Sequence, residues 1–199
     1  MKKLSNDILL NMKADHIGTG SEKKVYLKKG DPSRCIKISL KEKSKQILRE
    51  IIFFNRLSKK QSFPYFVPKY YGSFQTPDFI GYEQECFLER SNGGFFDVAM
   101  PLSTYIENYS DSIQEIQREI YQLKYDMLSS LIVCSDLHGE NVYKTIQNGN
   151  SRLVVIDGYG YPELIPIYRF VKYFARKKIL RQWEKFENRI AQSYKINSL

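Results

Sequence analysis

Nothing in this chain approaches the roughly 20 consecutive apolar residues that a membrane-spanning helix needs. The opening MKKLSNDILLNMKADH carries two lysines directly after Met1, but its apolar ILL is broken at once by Asn and Lys, far short of a signal-peptide core. A soluble, cytoplasmic protein is the expectation. Cysteine is scarce: Cys35, Cys86 and Cys134 are odd in number, lie in apolar segments and show no CxxC or His-rich spacing, so zinc is not indicated. Three reduced, buried thiols are the simplest reading. Histidine is scarcer still, with only His16 and His138. There is no internal repeat, no low-complexity tract and no base-reading motif, so sequence-specific nucleic-acid binding is not expected.

What is present suffices for a core. A chain of 199 residues is about one domain, and at that size roughly 70% of the unfolded surface can be buried. Its 42% hydrophobic and 27% charged content is that of a globular protein. The net charge of +9 and pI near 9.3 favour an anionic partner, whether nucleotide, phosphorylated sugar, nucleic acid or membrane surface, and charge alone does not choose among them.

Hydrophobic periodicity divides the chain. From Asp15 to Ser39, short strand-like pieces alternate with turn signals: a glycine-bearing turn at Gly18 to Ser21, then VYL, KKGDP and CIKIS. From Lys43 the period becomes helical, with Ile47, Ile51, Phe54 and Leu57 on one face. After the Pro and Gly punctuation of FPYFVPKYYGSF, two further strands are predicted at FIGYEQ and CFLER, ending at Ser91-Asn92-Gly93-Gly94. Beyond that turn the chain is mainly helical, with a short TYIENY segment, a long helix from about Ser112 to Ile132 and a basic helix from about Ile167 to Tyr194. Between the last two, NVYKTI and RLVVID are joined by Gln147-Asn148-Gly149-Asn150, a hairpin signal.

The chemistry concentrates around that hairpin. SDLHGEN puts Asp136 just after the long helix and Asn141 five positions later, and the hairpin returns with VVID to set Asp157 at a strand end. Two carboxylates and an amide thereby converge. Magnesium prefers hard oxygen ligands and borrows phosphate oxygens to complete its shell, so Asn141 and Asp157 are a suitable protein share. Asp136 is left to orient an attacking hydroxyl. This set resembles the protein-kinase catalytic segment, in which an Asp-Leu followed by Asn forms the catalytic loop and a second Asp holds metal.

The N-terminal half fits the same register. Lys37 in CIKIS lies on the third strand, where a kinase carries the lysine that contacts nucleotide phosphates, and Glu50 lies on the following helix, where its ion-pair partner would be. IGTGSEKKVY resembles a glycine-rich phosphate-covering loop, with Gly18, Gly20 and Val25 in place but Lys23 where a third glycine is expected, offering its charge instead. By that register Cys35 lines the pocket roof, Leu88 sits at the back of the adenine pocket, and Glu89, Arg90 and Ser91 form a hinge whose backbone bonds the base. The Asp-Leu-His form at His138 is similar to that of atypical kinases acting on small molecules, such as aminoglycoside, choline-like and ABC1-type kinases; His138 then contacts substrate or phosphate, or holds the loop backbone.

Over nearly the whole length, SDLHGEN, VVIDGYG and LIPIYRF with its basic helix resemble the bacterial YrbL-like family of PhoP-regulatory-network proteins, which is similar to protein kinases in its motifs. The resemblance implies one α+β domain over residues 1–199: a compact, two-lobed kinase-like fold. Its N-lobe, about 1–90, is a five-stranded antiparallel sheet plus one helix; a hinge spans about 89–94, and a reduced, mainly helical C-lobe about 95–199. Ser135 replaces the Arg that pairs with a phosphorylated activation loop, and YGYPELIPIYRF contains no Ala-Pro-Glu segment, with about forty residues remaining. Those departures point away from a peptide-docking platform. The expected function is transfer of phosphate from ATP, with Mg or Mn, to a hydroxyl on a small molecule, sugar or lipid headgroup. The alternatives are a nucleotide-binding pseudokinase or regulatory module, and a protein kinase or autokinase. The C-terminal helix, with Phe170, Phe174, Ile179, Trp183 and Phe186 suited to packing, leaves Lys and Arg for solvent or for an anionic membrane surface.

Overall fold

The computed structural model describes residues 16–20, 22–61, 63–87, 98–109, 113–147, 149–160 and 172–194. Within them the fold is mixed α+β. Strands β1 (His16–Thr19), β2 (Lys24–Leu27) and β3 (Arg34–Leu40) are followed by helix α1 (Lys45–Lys60), then β4 (Tyr70–Gln75) and β5 (Phe79–Glu85). These five strands form one antiparallel sheet in the order β1-β2-β3-β5-β4, so α1 interrupts the sheet after its third strand, as the sequence predicts.

The chain divides into two compact units. One comprises Met1–Phe63 and Pro68–Cys86, the other Pro64–Val67 and Phe87–Leu199. In the first unit, strand alternation gives the sheet two different faces. Ile36 and Ile38 of β3 cluster with Phe74, Tyr26 and Phe79 on one side. Val25, Lys37 and Tyr82 are cross-strand neighbours on the opposite side, where Phe54 of α1 packs on Tyr82 with ring centroids 5.3 Å apart. Helix α1 buries Ile47, Glu50, Ile51 and Phe54, one stripe at helical spacing, and stops at Gln61 in a left-handed conformation with Lys59 and Lys60 in the last turn.

The predicted fourth and fifth strands need correction. The fourth strand is YYGSFQ, inside the segment read as punctuation, and FIGYEQ is the fifth; Cys86 and Phe87 of CFLER lie in no strand, and its remaining residues fall outside the described ones. Gly72 misleads because its φ of +133° sits at a register irregularity between Tyr70 and Gly72, so an edge strand absorbs the glycine as a bulge.

In the second unit β6 (Val98–Pro101), β7 (Val142–Gln147) and β8 (Asn150–Val155) form an antiparallel sheet in that order. The β7–β8 hairpin is the predicted one, and β6 is a partner that the sequence did not reveal. Helices α2 (Leu102–Asn108), α3 (Ile113–Ser130) and α4 (Lys172–Tyr194) accompany it. Helix α3 buries Ile116, Ile120, Leu123 and Met127 and ends where Leu131 takes a φ of 56°. Helix α4 buries Ala175, Ile179, Trp183, Phe186 and Ile190. Phe174, expected in that stripe, is 42% exposed because the buried register runs through Ala175, one residue on. Phe170 lies outside the described residues. All three cysteines are buried and none is in a disulfide. Among the described residues no helix is long and apolar enough to cross a membrane.

Candidate functional site

The second unit gathers Asp136, Asn141 and Asp157 through backbone contacts that leave little freedom. Where α3 ends, Cys134 bridges to Tyr159, and Ser135 donates both its backbone N–H and its hydroxyl to the carbonyl of Gly158, at 2.9 and 3.0 Å. The Cys134 thiol donates to the Asp157 carbonyl at 3.2 Å. The segment after β8 is thereby stitched alongside the segment after α3.

Gly158 is what allows this close approach. Its φ is +81°, and a Cβ there would meet Asp136 Cβ at 2.9 Å, Asp136 N at 3.0 Å and Cys134 Sγ at 3.1 Å. Only glycine combines that conformation with that crowding. The Asp157 carboxylate, one residue earlier, accepts the Gly158 N–H at Oδ1, 2.7 Å away.

The loop from Asp136 to Asn141 is closed on itself. Asn141 donates its backbone N–H to the His138 carbonyl at 2.9 Å, while its side-chain Nδ2 donates to the Asp136 carbonyl at 3.0 Å and to Asp136 Oδ2 at 3.1 Å. That orientation turns Asn141 Oδ1, the metal-compatible oxygen, away from Asp136. His138 Nε2 lies 3.4 Å from Asp136 Oδ2. The Asn141 carbonyl accepts Ile156 N–H at 2.8 Å, tying the loop to the end of β8. Below it, Leu137 is buried, Glu140 accepts a hydrogen bond from the Ser103 hydroxyl, and Ser103 N–H reaches the Gly139 carbonyl at 3.5 Å. The Asp136 side chain remains 57% exposed, so its carboxylate is open to a ligand.

Asn141 and Asp157 offer hard oxygen donors of the kind that magnesium takes. Among the described residues no group of three or more His, Cys, Asp or Glu side chains could hold a metal ion.

The first unit holds the other predicted residues. Lys37 is 3% exposed on β3, between Val25 and Tyr82 in register, and Cys35 is 4% exposed two residues before it on the same face. Glu50 is fully buried on α1. Sequence reasoning missed how it is held. Lys23 Nζ donates to both carboxylate oxygens, at 2.7 and 2.8 Å, and the Tyr82 hydroxyl donates to Oε2 at 2.9 Å. The signal for Lys23 was its place where a third glycine was expected; for Tyr82 it was the register opposite Lys37.

Gly18 and Gly20 are glycines without a local need for one. Neither has a left-handed φ; a Cβ on Gly18 would meet nothing closer than Val25 Cβ at 4.0 Å, and on Gly20 nothing closer than the Lys23 carbonyl at 3.5 Å. Leu88, Glu89, Arg90 and Ser91, the predicted adenine pocket and hinge, lie outside the described residues.

Two curated relatives, each an uncharacterized protein YrbL, one from Escherichia coli (strain K12) and one from Shigella flexneri, are similar to this chain. Each is 27% identical over 178 residues, spanning 85% of this chain and 82% of the relative. The family described as PhoP regulatory network protein YrbL matches residues 8–191, most of the chain, which therefore belongs to that family.

Proposed function

We propose that this protein is an ATP-dependent phosphotransferase of protein-kinase-like type whose acceptor is a hydroxyl on a small molecule, sugar or lipid headgroup. The observation that carries the reading is the tight seating of Asp136 against Gly158, which sets an exposed carboxylate beside Asp157 and Asn141. An exposed Asp136 fixed by Asn141, with Asp157 held by the Gly158 N–H one residue along, suits electrostatic work on a bound phosphate.

In this reading Asp136 orients the acceptor hydroxyl and accepts its proton as the oxygen bonds to the γ-phosphorus and the bond to the leaving ADP oxygen breaks. Asn141 Oδ1 and the Asp157 carboxylate hold the divalent cation, which when bound neutralises phosphate charge. Lys37 meets the phosphates from β3, on the sheet face that also carries Tyr82 and α1. Gly18 in β1 and Gly20 just after it place no side chain at their own positions, which lets a phosphate approach the backbone there, a reason for glycine that the fold itself does not supply.

The test is incubation of the purified protein with labelled ATP and Mg or Mn, alone and with a metabolite or lipid extract, beside Asp136→Ala and Asp157→Ala. Label in a small molecule that disappears with both variants is the expected result. Nucleotide-induced thermal stabilisation with no transfer identifies a binding module instead, and label confined to the protein identifies an autokinase. Absence of both stabilisation and transfer removes the reading.

A further inference from the structure

Helix α4 carries two faces of different chemistry. Ala175, Ile179, Trp183, Phe186 and Ile190 recur at helical spacing and are buried. That stripe is taken up by the protein itself: α4 packs on α3, and Lys124 of α3 donates to Glu187 Oε1 at 2.6 Å. The opposite face is open. At about 100° per residue, Tyr173, Phe174, Lys177, Leu180 and Arg181 lie opposite the buried stripe within the first three turns. Tyr173 is 67% exposed and Leu180 49%, and Phe174 stands outside the core beside them. The Tyr173 and Phe174 rings meet edge to face, with centroids 5.6 Å apart.

Charge is divided along the same helix. Residues 172–183 contain Lys172, Arg176, Lys177, Lys178 and Arg181 and no acid, whereas residues 184–194 balance Lys185 and Arg189 against Glu184 and Glu187. Lys172, Arg176, Lys177 and Arg181 are exposed. The exposed large apolar side chains of α4, Tyr173, Phe174 and Leu180, all fall in the basic half. Apolar residues scattered singly over a surface are ordinary, but here three share one open face and are interleaved with cations.

We propose that the N-terminal half of α4 is a docking surface for an anionic lipid bilayer, with the helix lying in the plane of the headgroups. Lipid phosphates complement the cations. Phe174 and Leu180 enter the boundary with the acyl chains, Tyr173 sits at headgroup level, and the Lys and Arg stems run along apolar surface while their charges reach the phosphates. A second copy of this chain would set cation against cation across a two-fold contact. A nucleic acid would take the charges and stack on Tyr173, but it offers nothing to Leu180. Three exposed apolar side chains make a reversible, salt-sensitive contact rather than an anchor. Docking of α4 stands on this face alone and is independent of the phosphotransferase reading.

The test is co-flotation of the full chain with vesicles of phosphatidylcholine alone and of phosphatidylcholine with about one-third phosphatidylglycerol, at low salt and at about 0.5 M salt. Wild type floats with the anionic vesicles at low salt, is released at high salt, and does not float with the neutral ones. Each cation at an anionic surface contributes about fivefold in binding, so Lys177→Glu/Arg181→Glu weakens it at least about twentyfold. Phe174→Ser/Leu180→Ser, with every charge intact, weakens it at least about fivefold. Lys185→Glu/Arg189→Glu makes the same change of net charge in the balanced half and weakens it less than about threefold. All the exchanged side chains are exposed, so circular-dichroism melts of the three variants match wild type. Wild type that does not float with anionic vesicles overturns docking. So does an equal loss from Lys185→Glu/Arg189→Glu, which reduces the attraction to net charge, or full binding by Phe174→Ser/Leu180→Ser, which leaves the apolar residues without a role. Binding to single-stranded RNA and not to vesicles assigns the face to nucleic acid, and a dimer that Phe174→Ser/Leu180→Ser abolishes, with no vesicle binding, assigns it to a second copy; either result overturns lipid docking.

Discussion

Replacing Gly158 by alanine tests the centre of the candidate site. Two terms add. The backbone term arises because Gly158 has a φ of +81°, a region in which an L-residue costs about 1–2 kcal/mol. The steric term arises because the new Cβ would lie 2.9 Å from Asp136 Cβ, 3.0 Å from Asp136 N and 3.1 Å from Cys134 Sγ. Non-bonded atoms prefer about 3.5–4.0 Å. Two of the three obstacles are the main chain and Cβ of Asp136, which cannot rotate aside, so relief requires backbone displacement of several tenths of an ångström. Overpacking of this kind adds about 1–3 kcal/mol. The sum is about 2–5 kcal/mol, and for a chain of this length that lowers the melting temperature by roughly 5–15 °C.

The structure contains its own controls. Gly30 and Gly149 have φ values of +77° and +76° with nothing within 4 Å of a built Cβ, so alanine there carries only the backbone term, about 1–2 kcal/mol. Circular-dichroism melts of the three variants separate the terms by subtraction. On the proposed phosphotransferase reading, displacing Asp136 by Gly158→Ala also lowers the transfer rate by about tenfold or more, and the controls keep it. If Gly158→Ala melts no lower than Gly149→Ala, the close packing of Gly158 on Asp136 is refuted, and with it the view that glycine at 158 fixes the geometry of the candidate site.

Two further outcomes follow from the second unit. Burial, with a hydrogen bond from its hydroxyl to Asp126 Oδ2 at 2.7 Å, pushes the Tyr65 phenol well above its ordinary value. The folded chain therefore holds that proton more tightly than the unfolded chain. The resulting stability is full below about pH 10, where the unfolded phenol titrates, and is lost as pH rises through and beyond that value. Denaturant titrations from pH 8 to 11.5 should show a steeper alkaline decline for wild type than for Tyr65→Phe; identical slopes would refute it. Lys144, fully buried on β7, meets Glu119 Oε1 at 2.5 Å and Glu115 Oε1 at 3.4 Å. Lys144→Met leaves Glu119 without its closest cation and costs about 2–4 kcal/mol by urea unfolding, of which Lys144→Met/Glu119→Gln recovers at least half. Failure of the second change to recover stability would show that the lysine contributes through packing alone.

Much of the fold was legible because it is written in local periods. The i, i+4, i+7 stripe of Ile47, Ile51 and Phe54, the Asn-Gly turn between β7 and β8, and the apolar stripe of α3 each depend on neighbours a few residues away. The order of strands followed from the same patterns except where a glycine belongs to a bulge rather than a turn, as Gly72 does in β4. The short β6 went unread because a four-residue strand gains its identity from pairing with β7, a partner more than forty positions away. In α4 a one-residue difference in register exchanged Phe174 for Ala175, since the amphipathic pattern of a basic, aromatic-rich helix tolerates either.

The site divides in the same way. Sequence alone singled out Asp136, Asn141, Asp157, Lys37 and Glu50 as candidate site residues, because their spacing within short motifs is a local property. Tertiary structure alone decided who holds them: Lys23 reaches Glu50 from 27 residues away, Tyr82 from 32, and Gly158 admits Asp136 from the far side of a hairpin. An ion pair's partner is chosen by which charged group is carried into the same dry space, and that is fixed by how strands and helices pack, a relation that no window of neighbouring residues contains.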